Sequence, residues 1–338
     1  MEVKNIELDN KINLKLTEKE RLLNNYQSGN IAEDTVGSSS VRSKVGPRKL
    51  NRRNLRAYWF LLPALALYTV FFIYPLGYSF YLSFFKSNLI NPAIKFVGIS
   101  NYTYLFKSEI FWKAFTNTIL YVVYTVPVSM LIGLVLALLV EKLKYGKQLY
   151  RTLFYLPVIS SAAIISTVWE LMYNPNIGTI NKLLEMIGIH GGNWLNDPKL
   201  ALRALAAIGI WKHFGYNMVL YISAMKGINR EMYEASAIDG ANRFRKIWHI
   251  TMPLLSPITF FILIMGVISS FQVFTAIQII TQGGPNNATN VLVYEIYMEA
   301  FRYYNVGIAT ASSTLFLILV GLFTILQFKL GQKHVHYQ

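Results

Sequence analysis

Six apolar stretches, each close to the ~20 residues that cross ~30 Å of hydrocarbon, constrain this chain more than any other feature. They fall at about 58–84, 115–140, 152–173, 204–223, 258–280 and 306–328. The runs are continuous and do not alternate, and a lipid-facing backbone must satisfy its own polar groups. Helices are therefore expected, and a barrel is not. Composition agrees, with 54% of the 338 residues hydrophobic and 14% charged. The fold class expected is all-α integral membrane, with six transmembrane helices.

The net charge of +15 sits beside these runs. Loops 141–151 and 224–257 carry Lys142, Lys144, Lys147, Arg151, Lys226, Arg230, Arg243, Arg245 and Lys246. Loops 174–203 and 281–305 carry only Lys182, Lys199, Arg203 and Arg302. Loop 85–114, with Lys86, Lys95, Lys107 and Lys113, weakens the contrast without reversing it. Between Arg42 and Arg56 lie seven basic residues and no acidic one. Positive charge concentrates on the cytoplasmic side, so both termini and loop 224–257 are expected there. Membrane lipid is the partner expected for the basic run before the first span, and nucleic acid is not. Residues 1–56 read as a polar, partly disordered cytoplasmic tail, 57–330 as the membrane domain and 331–338 as a short cytoplasmic tail. No cleavable leader is expected, since the first apolar run is long enough to stay as an anchor. With no cysteine, neither a disulfide framework nor a thiolate metal site is available.

Loop 230–257 has its own design. Asn229 suits the cap of a short helix through Glu234, Ala235, Ser236, Ala237 and Ile238. Gly240 suits the left-handed residue that ends it. A second short run puts Phe244, Ile247, Trp248 and Ile250 on one face, leaving Arg243, Arg245 and Lys246 for water. Pro253 and Pro257 then end the run. A helix–turn–helix elbow held against the cytoplasmic side of the bundle is expected.

These residues closely resemble the coupling-helix loop in permease subunits of binding-protein-dependent ABC importers. That pattern is Glu-Ala-Ala, a Gly six residues after the Glu, then Ile ten and Pro thirteen residues after the Gly. Here it falls on Glu234, Ala235, Ser236, Gly240, Ile250 and Pro253, with Asp239 and Ala241 flanking the glycine. Ser236 for the second Ala and Met252 for the usual Leu before Pro are the departures. Shorter strings resemble the carbohydrate-uptake, maltose-type branch of the family. They include Leu61-Leu62-Pro63-Ala64 with Tyr74-Pro75, Phe96-Val97-Gly98 with Asn101-Tyr102, Asn117-Thr118, and Thr281-Gln282-Gly283-Gly284-Pro285. Trp169 and Asn174-Pro175 match in the same order along the chain.

The resemblance implies a permease subunit forming half of the path of an ATP-driven importer in a bacterial plasma (inner) membrane. The implied solute is a sugar or oligosaccharide delivered by an extracellular binding protein. The implied partners are a second permease subunit, two ATPase subunits and that solute-binding protein. No cofactor is implied for this chain, because ATP is used by the separate ATPase docking on Glu234 to Ala241. The sequence agrees in lacking a phosphate loop: Tyr145-Gly146-Lys147-Gln148 has neither the second Gly nor the hydroxyl a Walker A motif needs. No metal or catalytic motif is present, so no enzyme is expected, and His334-Val335-His336 reads as a solvated tail. A permease for a glycerol-phosphate ester or a peptide is the nearer alternative. An ion-coupled secondary transporter is the more distant one.

Ionisable residues inside membrane spans are costly and become functional candidates. Glu170, Lys212 and His213 are such residues; they either line a hydrated cavity or pair with one another. Trp169, Trp211, Tyr216, Phe271 and Phe274 either stack on sugar rings or pack among the other aromatics.

Overall fold

The computed structural model describes residues 52–88, 90 and 94–331, with side chains from residue 59 onward. The expectations for the tail before residue 52 and for the histidines of the last residues fall outside the described residues. The chain divides into two compact units, Met1–Pro63 and Ala64–Gln338. Of the first, only the start of one helix is described, and the account below concerns the second.

Helix α1 (Arg52–Tyr68) passes through a π-helical turn (Thr69–Ile73) into α2 (Tyr74–Leu82). A two-residue antiparallel pair follows, β1 (Phe85–Lys86) with β2 (Lys95–Phe96), where helix alone was expected. Next come α3 (Ser100–Lys107), α4 (Glu109–Lys142), α5 (Lys147–Ile159), α6 (Ala162–Met172), α7 (Thr179–Met186) and α8 (Ala201–Lys226). The elbow holds α9 (Arg230–Ile238), α10 (Arg243–Lys246), a π turn (Ile247–Thr251) and α11 (Met252–Leu254). Helices α12 (Ser256–Phe271), α13 (Leu292–Tyr297) and α14 (Val306–Gly331) complete the chain.

The second, fourth and sixth apolar runs each form one helix, slightly longer than its apolar core. Ser108 Oγ accepts the Phe111 amide at the start of α4, while Glu109 and Lys142 suit the two ends of its dipole. The third run is not one straight helix. Ser160 and Ser161 are both extended, Ser160 Oγ donates to the Leu156 carbonyl, and α6 leaves α5 at 97°. The fifth run is also interrupted: α12 stops at Phe271, and a third π turn (Ile277–Thr281) begins only after Gln272, Val273 and Phe274.

Three helical stretches, Trp59–Leu82, Glu109–Lys142 and Val306–Gly331, are long and apolar enough to cross a membrane. The bent pairs Lys147–Ile159 with Ala162–Met172, and Arg243–Leu254 with Ser256–Phe271 (63°), raise this to five if each crosses once. Helix α8 is not among them. It lies at the centre instead, packed along α4 and also against α5 and α12. Its buried face includes Leu205, Met218 and Tyr221. Contact with α5 is backbone to backbone, since a Cβ at Gly215 would overlap the Phe154 carbonyl oxygen. Small residues let membrane helices approach in this way.

Candidate functional site

The elbow is built from two well-capped short helices. Asn229 Oδ1 accepts the Glu231 amide (3.1 Å) at the start of α9, and Asn242 Oδ1 accepts the Arg245 amide (2.9 Å) at the start of α10. Between them Gly240 sits at φ +70°, while the Ala241 amide reaches back to the Ser236 carbonyl (2.9 Å). The two limbs are pinned by Tyr233 Oη against Thr251 Oγ1 (3.0 Å) and by Lys246 Nζ donating to the Tyr233 carbonyl (3.3 Å). Lys246, expected in water, is thus half-buried, whereas Arg243 and Arg245 are exposed.

The elbow's apolar face is not covered by its own bundle. Ile238 is 89% exposed, Phe244 76% and Trp248 64%, while Ile247 and Ile250 are half-buried. Glu234, Ala235, Asp239 and Gly240 are exposed as well, with Ser236, Ala241 and Pro253 half-buried. The described ion pairs both belong to Glu141, with Lys147 (3.1 Å) and Arg151 (2.9 Å), so Glu234 has no ionic partner among the described residues.

A second site lies inside the bundle, where the two helix interruptions face each other. A cavity of about 210 Å³ is lined by Tyr121 of α4, Ala162 and Ser166 of α6, Lys212 and His213 of α8, Ser269 and Ser270 of α12, and the segment from Gln272 to Ala276. A neighbouring cavity of about 260 Å³ shares His213, Ser269 and Ser270 and adds Thr125, Ser129, Tyr216 and Asn217. Neither has an Asp or Glu in its wall. Lys212 lies midway along α8.

Nearer the start of α4, residues 282–305 are tied down by the helix. Asn117 Nδ2 donates to the carbonyls of Asn287 (2.9 Å) and Asn290 (2.8 Å), and Lys113 Nζ donates to that of Asn286. Thr118 Oγ1 accepts the Leu292 amide (2.9 Å). Burial pushes the Glu295 carboxyl up, the hydrogen bond from Asn290 Nδ2 (2.7 Å) opposes this, and repulsion from Glu299 adds to it.

Residues 96–335 match the family described as binding-protein-dependent transport system inner membrane component. The chain belongs to this family. It is a permease component of such a system and a membrane protein. A permease of Bacillus subtilis (strain 168), YesP, named a probable ABC transporter permease protein, is 34% identical, covering 86% of this chain and 95% of the relative. The sn-glycerol-3-phosphate transport system permease protein UgpA of Agrobacterium fabrum (strain C58 / ATCC 33970) is 32% identical, covering 88% and 100%. Among solved structures, a chain of a bacterial ABC transporter involved in import of the acidic polysaccharide alginate superposes with a TM-score of 0.73 at 24% identity. That match covers 83% of this chain and 96% of that one, and it shows that the fold is shared.

Within this permease the candidate path residues separate. Lys212 and Phe274 line the first cavity and Tyr216 the second. Trp169 and Trp211 meet edge-on with centroids 5.6 Å apart, in the same apolar cluster as Tyr121 and Ile208 of the cavity wall. Phe271 is fully buried and packs on Phe316 and Phe323, away from both cavities. Glu170 is exposed and forms no ion pair with Lys212. Ser166, Ser269, Ser270, Gln272, Thr275 and Asn217 were missed. For Ser269, Ser270 and Gln272 a signal was available, three polar residues within four positions of an otherwise apolar span. The string Asn117-Thr118 ties residues 282–305 to α4, while Thr281 to Pro285 is closed from within its own loop by Thr289 Oγ1, which reaches Thr281 Oγ1 (2.8 Å) and the Gly284 carbonyl (2.6 Å).

Proposed function

We propose that this permease forms half of the translocation path of an ATP-driven importer for a sugar, oligosaccharide or related polyol. The observation that carries the proposal is the polar cavity at the two helix interruptions, in the interior of a bundle whose outer faces are apolar. Hydroxyls from four helices, with Phe274 and Tyr216 beside them, offer what a polyhydroxylated ring binds: hydrogen-bond partners and an apolar face. The names of the Agrobacterium relative and of the alginate importer, both of which concern polyhydroxylated solutes, support the same class.

In this reading the chain crosses the membrane six times. The crossings are Trp59–Leu82, α4, the α5–α6 pair, α8, α12 with its approach, and α14. Both termini and the elbow are cytoplasmic. Glu234 and the exposed apolar face of the elbow dock one of two ATPase subunits. A second permease subunit completes the path, and an external binding protein delivers the solute. The chain performs no bond chemistry and holds no cofactor or metal; ATP is consumed by its partner. Alternating access is a bistable arrangement of helices biased by the binding protein outside and by ATP inside.

The test is reconstitution of the full complex in proteoliposomes with its binding protein. Uptake that requires ATP and the binding protein is expected. Uptake driven by an ion gradient with the ATPase left out would sink the reading.

A further inference from the structure

Lys212 is the one lysine or arginine in the walls of the two cavities, and no carboxylate stands beside it. Among the described residues, neither an ion pair nor a hydrogen bond engages its ammonium group. His213, next to it on α8, joins the two cavities. A cation placed midway along a central helix needs water or an anion as its partner, because nothing in the surrounding protein neutralises it. A neutral polyol accepts hydrogen bonds from the ammonium but leaves its charge uncompensated, an anion does both, and a cationic solute is repelled. Ser166 Oγ, in the same wall, donates a hydrogen bond to the Ala162 carbonyl (2.7 Å), and Gln272, also in the wall, is exposed.

We infer that the solute is anionic: a polyhydroxylated molecule bearing a carboxylate or a phosphate monoester, with Lys212 as the group that selects the charge. This deepens the importer reading and rests on it. The hydroxyls and Phe274 would engage the carbon frame, and Lys212 the anion. The two sources of that anion, a uronate saccharide and a phosphorylated polyol, share the chemistry and are separated by experiment.

The native chain has no cysteine, so Gln272→Cys reports on the cavity alone. In the assembled complex, with partner subunits rendered cysteine-free, the thiol is treated with a sulfonate-bearing and then a trimethylammonium-bearing methanethiosulfonate. A nearby unit charge should favour the anionic reagent by about tenfold relative to a free thiol. That preference should vanish in Lys212→Met and persist in Lys212→Arg. A preference that is absent, or unchanged in Lys212→Met, overturns the proposal, because the charge is then neutralised by another subunit or does not face the path. Uptake by the same complex is then compared for trigalacturonate, neutral trigalactoside, glycerol 3-phosphate and glycerol. Uptake of trigalacturonate or of glycerol 3-phosphate, lost in Lys212→Met, supports the proposal and identifies the source of the anion. ATP-driven uptake of a neutral probe unaffected by Lys212→Met overturns the anion class and leaves the importer reading standing.

Discussion

The centre of the bundle and the elbow treat the same kinds of side chain in opposite ways. Along α8, Leu205, Met218 and Tyr221 are at most 2% exposed, and the helix is packed by α4, α5 and α12. In the elbow, Ile238, Phe244 and Trp248 are each more than 60% exposed, although every cap and turn around them is formed. Burying an apolar side chain of this size is worth about 1.5–3 kcal/mol. One region has collected that energy within the chain, and the other leaves it uncollected, as the proposed docking of an ATPase requires. Substitutions should therefore act on stability in the first region and on association in the second.

The largest effect is expected at Gly215. A side chain there meets the Phe154 backbone, which cannot move aside as a side chain would, whereas nothing lies within 4 Å of a Cβ at Gly321 of α14. Gly215→Val should lower stability by about 3 kcal/mol, at the upper end for overpacking, and Gly321→Val should leave it almost unchanged. Thermal midpoints and yields of the purified complex measure both. Equal behaviour of the two would break the picture of a closely packed centre.

The elbow should respond the other way. Phe244→Ser and Trp248→Ser should change stability by no more than about 0.5 kcal/mol, as exposed positions do, yet weaken retention of the ATPase about tenfold in pull-down, as an interface anchor does. Stability loss without loss of the ATPase would place these residues in the fold instead.

A smaller effect concerns residues 282–305 and pH. Glu295 is held above the ordinary carboxylate range, chiefly by burial. A carboxyl raised in the folded state contributes stability that is present below its unfolded pKa and lost as pH rises through the folded one. Exchange protection of this segment should therefore fall as pH climbs past the usual carboxylate range. Glu295→Gln should flatten that fall; a slope equal to that of the unaltered chain would assign the pH response elsewhere.

Much of this was legible in the sequence, and the part that was not has physical reasons. Continuous apolar runs located α4, α8 and α14, because each needs uninterrupted helix at those positions. The elbow was readable from Asn229, Gly240 and the residues between them, since caps and left-handed turns depend on local chemistry. The breaks at Ser160-Ser161 and Gln272–Phe274 were not, because serine and glutamine are tolerated in helices and tertiary packing decides whether the chain turns there. Apolarity also proved to track exposure on the outer face of the bundle more than depth within it. Helices α8 and α14 are both 26 residues long, yet only α14, which exposes Leu317, Leu322 and Ile325, has the composition of a membrane span. The path residues were the least legible, since they come from four helices whose meeting is a product of the whole fold.

The account's central claim is that the elbow is a prepared contact for an ATPase and carries no weight in the fold. It is tested by Glu234→Ala and Gly240→Leu, with Arg245→Ala as the control. The first removes a carboxylate that has no ionic partner among the described residues, and losing one member of a desolvated pair costs on the order of 3–5 kcal/mol. The second forces a branched side chain onto a backbone at φ +70°, a strain of about 1–2 kcal/mol. The measurement is co-purification of the ATPase together with solute-stimulated ATP hydrolysis in reconstituted membranes. Both variants are predicted to insert normally and to lose docking, stimulated hydrolysis or both, with Arg245→Ala close to the unaltered chain. Full docking and full stimulation in both variants would contradict the account and leave the elbow as an ordinary loop.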